Sequence, residues 1–212
     1  MSTIDLHVLE LLCSRICHDL IGPVSAVGNG IELMEEEGED MAGDAIALIA
    51  HSAQQASRKL AMFRLAYGTG GNSSSVPLDQ LAPVASGFFE GGKTQLSWFE
   101  GGLSSLDARG AVRLLACMLL LAEEVLVYGG TVTLSETGEG FSVLMEGRAA
   151  GLKSETRAAL EGQADPSALT PRTAHAFVTG RFLEDAGWAL TLHTSQEDRL
   201  EMLIQAAAPG PD

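Results

Sequence analysis

Residues 17–30 read CHDLIGPVSAVGNG, and the reading of this stretch decides the fold of the first part of the chain. Apolar residues recur on both sides of it at the three- and four-residue steps of an amphipathic helix: Leu6, Leu9, Cys13 and Ile16 before, Ile31 and Met34 after. Leu20, Val24 and Val27 carry the stripe through the stretch itself. Yet Gly22, Pro23, Gly28 and Gly30 crowd in after His18, where a glycine costs a helix roughly 1 kcal/mol and a proline roughly 3 kcal/mol relative to alanine. The periodicity predicts one helix from Ile4 to about Glu37, weakened on the C-terminal side of a histidine.

Gly38 gives that helix a natural end. A second stripe follows at Ala42, Ile46, Ile49, Ala53, Ala56, Leu60, Phe63 and Tyr67, again with heptad-like spacing. Two helices joined by a short turn lie antiparallel. A lone hairpin buries only one stripe per helix, so a homodimer with a central four-helix bundle is expected.

The segment GTGGNSSSVP, residues 68–77, is a linker by composition. Beyond it, 78–90 reads as helix, 94–99 as strand and 104–127 as a strongly apolar helix. TVTLSETGEGFSVLME reads as a hairpin across Gly138 and Gly140. Residues 153–161 and 171–186 read as helices, and WALTLHTS and LEMLIQAA as closing strands. Helices beside a mostly antiparallel sheet make a two-layer α/β sandwich, so the whole chain is expected to be α+β. The division is 1–67 helical hairpin, 68–77 linker and 78–212 sandwich domain.

Composition narrows the function classes. In 212 residues the formal net charge is −15 and the 13 Lys and Arg are scattered, so the chain is expected to repel nucleic acid. The apolar run Leu114–Ala122 stops at Glu123-Glu124 and is too short to span a bilayer; no membrane insertion is expected. The first residues, MSTIDLHVLE, lack the basic start of a signal peptide. Three cysteines, Cys13, Cys17 and Cys117, form no disulfide framework, which suits a reducing cytoplasm.

His18 lies off the apolar seam, and a helical period puts Arg15, His18, Asp19 and Gly22 on one exposed stripe. An imidazole beside a carboxylate can act as a nucleophile, the acid accepting a proton or orienting the ring while the other nitrogen attacks. Arg15, one turn earlier, would offset phosphate charge. The exposed stripe runs on through Ser25, Ala26, Asn29, Gly30 and Leu33, nearly all small. With Pro23 freeing a backbone carbonyl beside His18, it reads as a docking groove for a partner helix. A hairpin turn near Gly38 sets residue i opposite about residue 77 − i. This puts Arg58 and Lys59 beside His18 to balance phosphate charge, Met62 one turn further, and His51, Gln54 and Gln55 opposite the groove.

HDLIGP on the first helix of a hairpin, followed by a linker and a two-layer α/β unit, resembles the dimerisation and phosphotransfer module of sensor histidine kinases. That module carries His, an acid and then Pro, matched by His18, Asp19 and Pro23. The second half resembles in layout their ATP-binding domain, with its signatures replaced. Ala122-Glu123-Glu124 stands where the family has its helix-borne Asn. MEGRAAGLK follows the hairpin in place of Asp-x-Gly-x-Gly, and LTPRTAHAF precedes the last helix in place of the glycine-rich motif. Adenine recognition, magnesium and phosphates need those groups, so neither ATP binding nor self-phosphorylation from ATP is expected.

A kinase-like hairpin with a degenerate ATP domain is similar, over nearly the whole chain, to the ChpT family of bacterial histidine phosphotransferases. The resemblance implies a dimer that relays a phosphoryl group from the receiver domain of a CckA-type hybrid kinase, through His18, to CtrA- and CpdR-type response regulators. Asp19 would assist, and Mg2+ would sit in the partner receiver, with no cofactor on this chain. Gly22 stands where many kinases have a Thr or Asn that positions a hydrolytic water, so the resemblance leaves phosphatase-type hydrolysis at His18 open.

His7, His51, His175 and His193 have no partners at ligand spacing, and Cys13, Cys17 and His18 lack the further ligands tetrahedral zinc needs; no metal site is expected. Glu123 and Glu124 read as the polar end of a buried helix. The competing function is a non-catalytic dimeric adaptor that keeps the kinase architecture only as a binding surface. Such an adaptor has no need for His18, Asp19 and Pro23 together.

Overall fold

The computed structural model describes residues 5–37, 41–68, 78–98, 110–138, 140–194 and 197–207. Helix α1 (Leu6–Glu37) runs unbroken through Pro23, and α2 (Ala42–Tyr67) returns beside it. The expected start at Ile4, the turn at Gly38 and residues 69–77 of the expected linker lie outside the described residues. A 3-10 turn (Leu78–Gln80) leads into α3 (Leu81–Phe89). Then come β1 (Thr94–Ser97), α4 (Ala111–Val125), β2 (Gly130–Thr137), β3 (Gly140–Glu146) and α5 (Ser154–Leu160). The chain closes with α6 (Pro171–Ala186), β4 (Trp188–His193) and β5 (Arg199–Ala206). The chain is α+β.

The five strands form one mixed sheet in the order β1-β2-β3-β5-β4. Only β1 pairs parallel, on β2; the other pairings are antiparallel. Register lines up Val132, Met145 and Leu200 in one row and Leu134, Val143 and Met202 in the next. Every member is buried, because a period of two sends them all to the face that the helices cover. Over that face lies α4, whose residues Leu114 to Ala122 are all buried, as an almost wholly apolar helix must be. The apolar helix read over 104–127 is shorter than expected at its described end, since Leu126 leaves helical geometry; residues 104–109 are not among those described. Gly110, at φ +84, opens the helix from a left-handed conformation that favours glycine.

The hairpin stripes are more exposed than their period suggests. Along α1 the buried apolar residues are Val8 and Leu12, and Ile16, Leu20 and Val27 are half-buried. Leu6, Leu9, Cys13, Val24, Ile31 and Met34 are exposed on the single chain, as are Ile21 and, on α2, Ile46 and Leu60. The C-terminal part of α2 is different: Met62, Phe63, Leu65 and Ala66 sink into the core shared with α4.

At that junction sits a buried polar chain. His175 of α6 has one ring nitrogen, Nε2, 3.0 Å from the Cys117 carbonyl of α4, and the other, Nδ1, 2.5 Å from the Tyr67 hydroxyl of α2. A carbonyl only accepts, so Nε2–H donates to Cys117 and Nδ1 accepts from Tyr67. Burial holds the imidazole neutral, with its pKa pushed down to about 4. Three helices are thereby tied at a fixed register, and the hairpin is seated on the sandwich.

Because an unfolded His175 regains an ordinary pKa, the unfolded chain binds the extra proton below about pH 6.5. Stability is therefore unaffected by this group above that pH and falls as pH drops toward 4. The expected loss is about 2 kcal/mol between pH 6.5 and 5, read by urea denaturation as a steeper pH slope than His175→Gln shows.

Candidate functional site

The turn of α1 that carries Ser14, Arg15, His18 and Asp19 borders a cleft of about 830 Å³ between the hairpin and the sandwich. Ser14, Arg15, His18 and Asp19 form one wall. The end of α4, with Glu124 and Val125, and the following Val127 and Tyr128 form another. The rest comes from Ala149, from Gly151 to Lys153, from Thr156 and from the start of α6 at Thr170, Pro171 and Arg172. Thr170 caps α6: its backbone N–H donates to Thr173 Oγ1 at 2.9 Å, and Pro171 takes the first helical position. The cap fixes where the helix begins.

His18 stands at the mouth, with 84% of its side chain exposed. Its Nδ1 is 3.3 Å from Asp19 Oδ1. The other carboxylate oxygen of Asp19 accepts from Arg15 Nε at 2.9 Å. Arg15 in turn places Nη1 2.8 Å from Glu124 Oε1, an ion pair, and 3.4 Å from the Arg172 carbonyl. Burial works to raise the pKa of Asp19, but the bond and charge of Arg15, with help from His18 and Lys59, outweigh it and hold the carboxyl below its usual range. Burial likewise opposes the charge on Arg15, and Glu124 and Asp19 overcome it, leaving the guanidinium firmly charged. Burial raises the pKa of Glu124 despite the pull of Arg15.

Several expectations from spacing need correction. Arg15 and Asp19 do not lie on an exposed stripe with His18, because the sandwich covers them to 20% and 19% side-chain exposure. Arg15 is committed to two carboxylates and is no spare cation for a phosphate. Arg58 is engaged by Glu90 instead: Nη1 donates to the Glu90 carbonyl at 3.1 Å and Nη2 pairs with the Glu90 carboxylate. Lys59 does face this side, with Nζ 3.9 Å from Glu123 Oε1 and a charge felt at Asp19. Met62 is fully buried and cannot contact a partner; the hairpin register could not foresee the core that covers it. Gly30 is buried too, since a Cβ there would meet Ile49 Cγ1 at 2.6 Å and the Ala45 carbonyl at 3.3 Å. Its missing side chain serves the close approach of α1 to α2.

The remaining groove residues stay at the surface. Gly22, Ser25, Asn29, His51, Gln54 and Gln55 are exposed, and Pro23, Ala26 and Leu33 are partly so. Gln55 and His51 hydrogen-bond to each other at 2.9 Å. Glu123 and Glu124, which by sequence read as the polar end of a helix more than as an acid pair, both reach back to the hairpin. The available signal was two acids at a helix C-terminus, where the macrodipole disfavours them.

Residues 78–198 match the family described as "Histidine phosphotransferase C-terminal domain". A solved bacterial phosphotransferase structure superposes with a TM-score of 0.80 at 28% identity, covering 97% of this chain and 98% of that one. The fold and the match define a histidine phosphotransferase. The curated protein phosphotransferase ChpT of Brucella abortus (strain 2308) is 34% identical over 204 residues, 93% of this chain and 94% of that protein, and this chain belongs to the ChpT family. Among the described residues, no helix is long and apolar enough to cross a membrane, and no cluster of three or more His, Cys, Asp or Glu is placed to hold a metal.

The position of Gly30 makes a distinct forecast. Gly30→Leu is expected to force α1 and α2 apart and lower stability by about 1–3 kcal/mol, the cost of overpacking. A melting temperature equal to that of the unmodified chain would return Gly30 to the open groove.

Proposed function

We propose that His18 accepts a phosphoryl group from the aspartyl phosphate of one receiver domain and delivers it to the aspartate of another. The observation that carries this reading is the pairing of a highly exposed imidazole with a held, ionised carboxylate at Nδ1. With Nδ1–H directed at Asp19, Nε2 keeps its electron pair free. That pair forms the N–P bond while the P–O bond to the receiver carboxylate breaks, its electrons leaving with the carboxylate. Asp19 meets the positive charge that develops on the ring. Reversal of the same step phosphorylates the second receiver. Family membership supports a CckA-type hybrid kinase as donor, CtrA- and CpdR-type regulators as acceptors, and a cytoplasmic setting. Mg2+ would belong to the receiver. Gly22, Ser25 and Asn29, small and exposed along the helix from His18, would let a receiver helix lie close to it.

No nucleotide is needed in this scheme. The altered motifs support that reading, as does Glu124, whose carboxylate turns across the cleft to the hairpin. Mixed with a phosphorylated receiver, the protein should acquire acid-labile, base-stable phosphate; with ATP and Mg2+ it should stay unlabelled. His18→Ala should abolish labelling with little change in stability, because the side chain is exposed. Asp19→Asn should slow transfer by roughly ten- to a hundredfold. A chain that binds receivers tightly yet never carries phosphate would instead be the adaptor.

The homodimer belongs to the same proposal. Val24, Ile31 and Met34 of α1 and Ile46 and Leu60 of α2 leave an apolar hairpin surface facing water, which a second hairpin would cover. Sedimentation equilibrium at micromolar concentration should give a dimer, and Ile31→Asp with Leu60→Asp should give a monomer. A monomeric unmodified chain would remove the four-helix bundle.

A further inference from the structure

Glu123 and Glu124 sit in the last turn of the mostly apolar α4, where two effects oppose them. The C-terminal end of a helix carries partial negative charge and disfavours carboxylates. Burial adds a second cost at Glu124, whose side chain is only 17% exposed and whose pKa burial raises. A residue that breaks local preferences in this way is held by something outside its own element. Here both acids meet cations of the hairpin, Glu124 at Arg15 on α1 and Glu123 at Lys59 on α2.

Glu124 is also well placed to be a fixed point. Leu121 and Ala122 beside it are completely buried in the sandwich core, so its backbone cannot drift. Arg15, by contrast, hangs from a surface helix on a long side chain. Bound to Asp19 alone it would be an i,i+4 pair of a few tenths of a kcal/mol. Held between Glu124, Asp19 and the Arg172 carbonyl, the planar guanidinium has one orientation.

We infer that Glu124 is a positioning residue for phosphotransfer at His18: through Arg15 it holds the Asp19 carboxylate against Nδ1, leaving Nε2 free to attack phosphorus. The inference deepens the phosphotransfer reading and rests on it. It gives the end of α4 a task that requires no nucleotide. Glu124 touches no reacting atom and acts only along the chain Glu124, Arg15, Asp19, His18.

The test uses the full chain labelled at its histidine by phosphoramidate, a small donor that bypasses receiver docking. The second readout is the imidazole tautomer of His18 in the unphosphorylated protein, taken from 15N chemical shifts. Glu124→Gln, which keeps size and loses charge, and Arg15→Ala should each slow labelling roughly tenfold and move His18 away from the Nδ1–H tautomer. The double variant should be no slower than the slower single one, because both substitutions cut the same chain. Arg15→Lys, which keeps the charge but cannot span both carboxylates, should behave like Arg15→Ala and stands in if the alanine variant unfolds. Unchanged labelling and unchanged tautomer in Glu124→Gln overturn the inference, and so do fully multiplicative effects in the double variant. If the unmodified chain takes up no phosphate at His18 from phosphoramidate or from a phosphorylated receiver, the phosphotransfer reading falls. The tautomer shift then still decides whether Glu124 reaches His18.

Discussion

The guanidinium of Arg15 sits where three parts of the molecule meet: its own helix, the end of α4 through Glu124, and the start of α6 through the Arg172 carbonyl. A partly buried cation is stable only if its surroundings supply negative charge in the right places. Two carboxylates and a carbonyl do so, and the geometry they demand leaves α1 one way to lie on the sandwich. The Tyr67–His175–Cys117 chain fixes the other side of the same junction with neutral groups. One contact is ionic and salt-sensitive, the other buried and indifferent to salt. Together they stop the hairpin from sliding or rolling over the α/β layer.

That fixed seating explains how an exposed histidine can be both accessible and controlled. A nucleophile that must meet protein partners cannot be buried, yet an imidazole free in water has no preferred tautomer or direction. The structure separates the two needs by one bond. His18 projects into solvent, while Asp19 beside it is drawn under the edge of the sandwich and held ionised. The cleft at its side is lined on the hairpin by charge and at Val127 and Tyr128 by exposed apolar surface. The guanidinium of Arg148 stacks 4.0 Å above the Tyr128 ring and steadies that lip.

The weakened helix after His18 turns out to serve more than one contact. Gly30 faces α2, where any side chain would strike Ile49 and the backbone at Ala45. Gly22 and Gly28 have open space beside them. Pro23 bends nothing that interrupts the helix, which continues to Glu37. A stripe that looks uniform in one dimension is divided by the packing of a second helix.

Element type and order were legible in the sequence because they follow mostly from periods that neighbouring residues set: 3.6 for α1 and α2, two for β2 to β5. The His18-Asp19-Pro23 motif was legible because its members lie within one and a half helical turns. Registers of a hairpin follow from the turn, so the residues opposite α1 on α2 were also within reach. What the sequence could not determine was which hairpin residues the second domain would cover. Met62 and Arg58 vanished into contacts with α4 and with Glu90, and Arg15 was claimed by Glu124, more than a hundred residues away. The parallel pairing of β1 was hidden for the same reason. Such contacts depend on how two folded units dock, and docking is settled by shape, buried charge and hydrogen-bond satisfaction across the junction. Local periodicity carries no record of these.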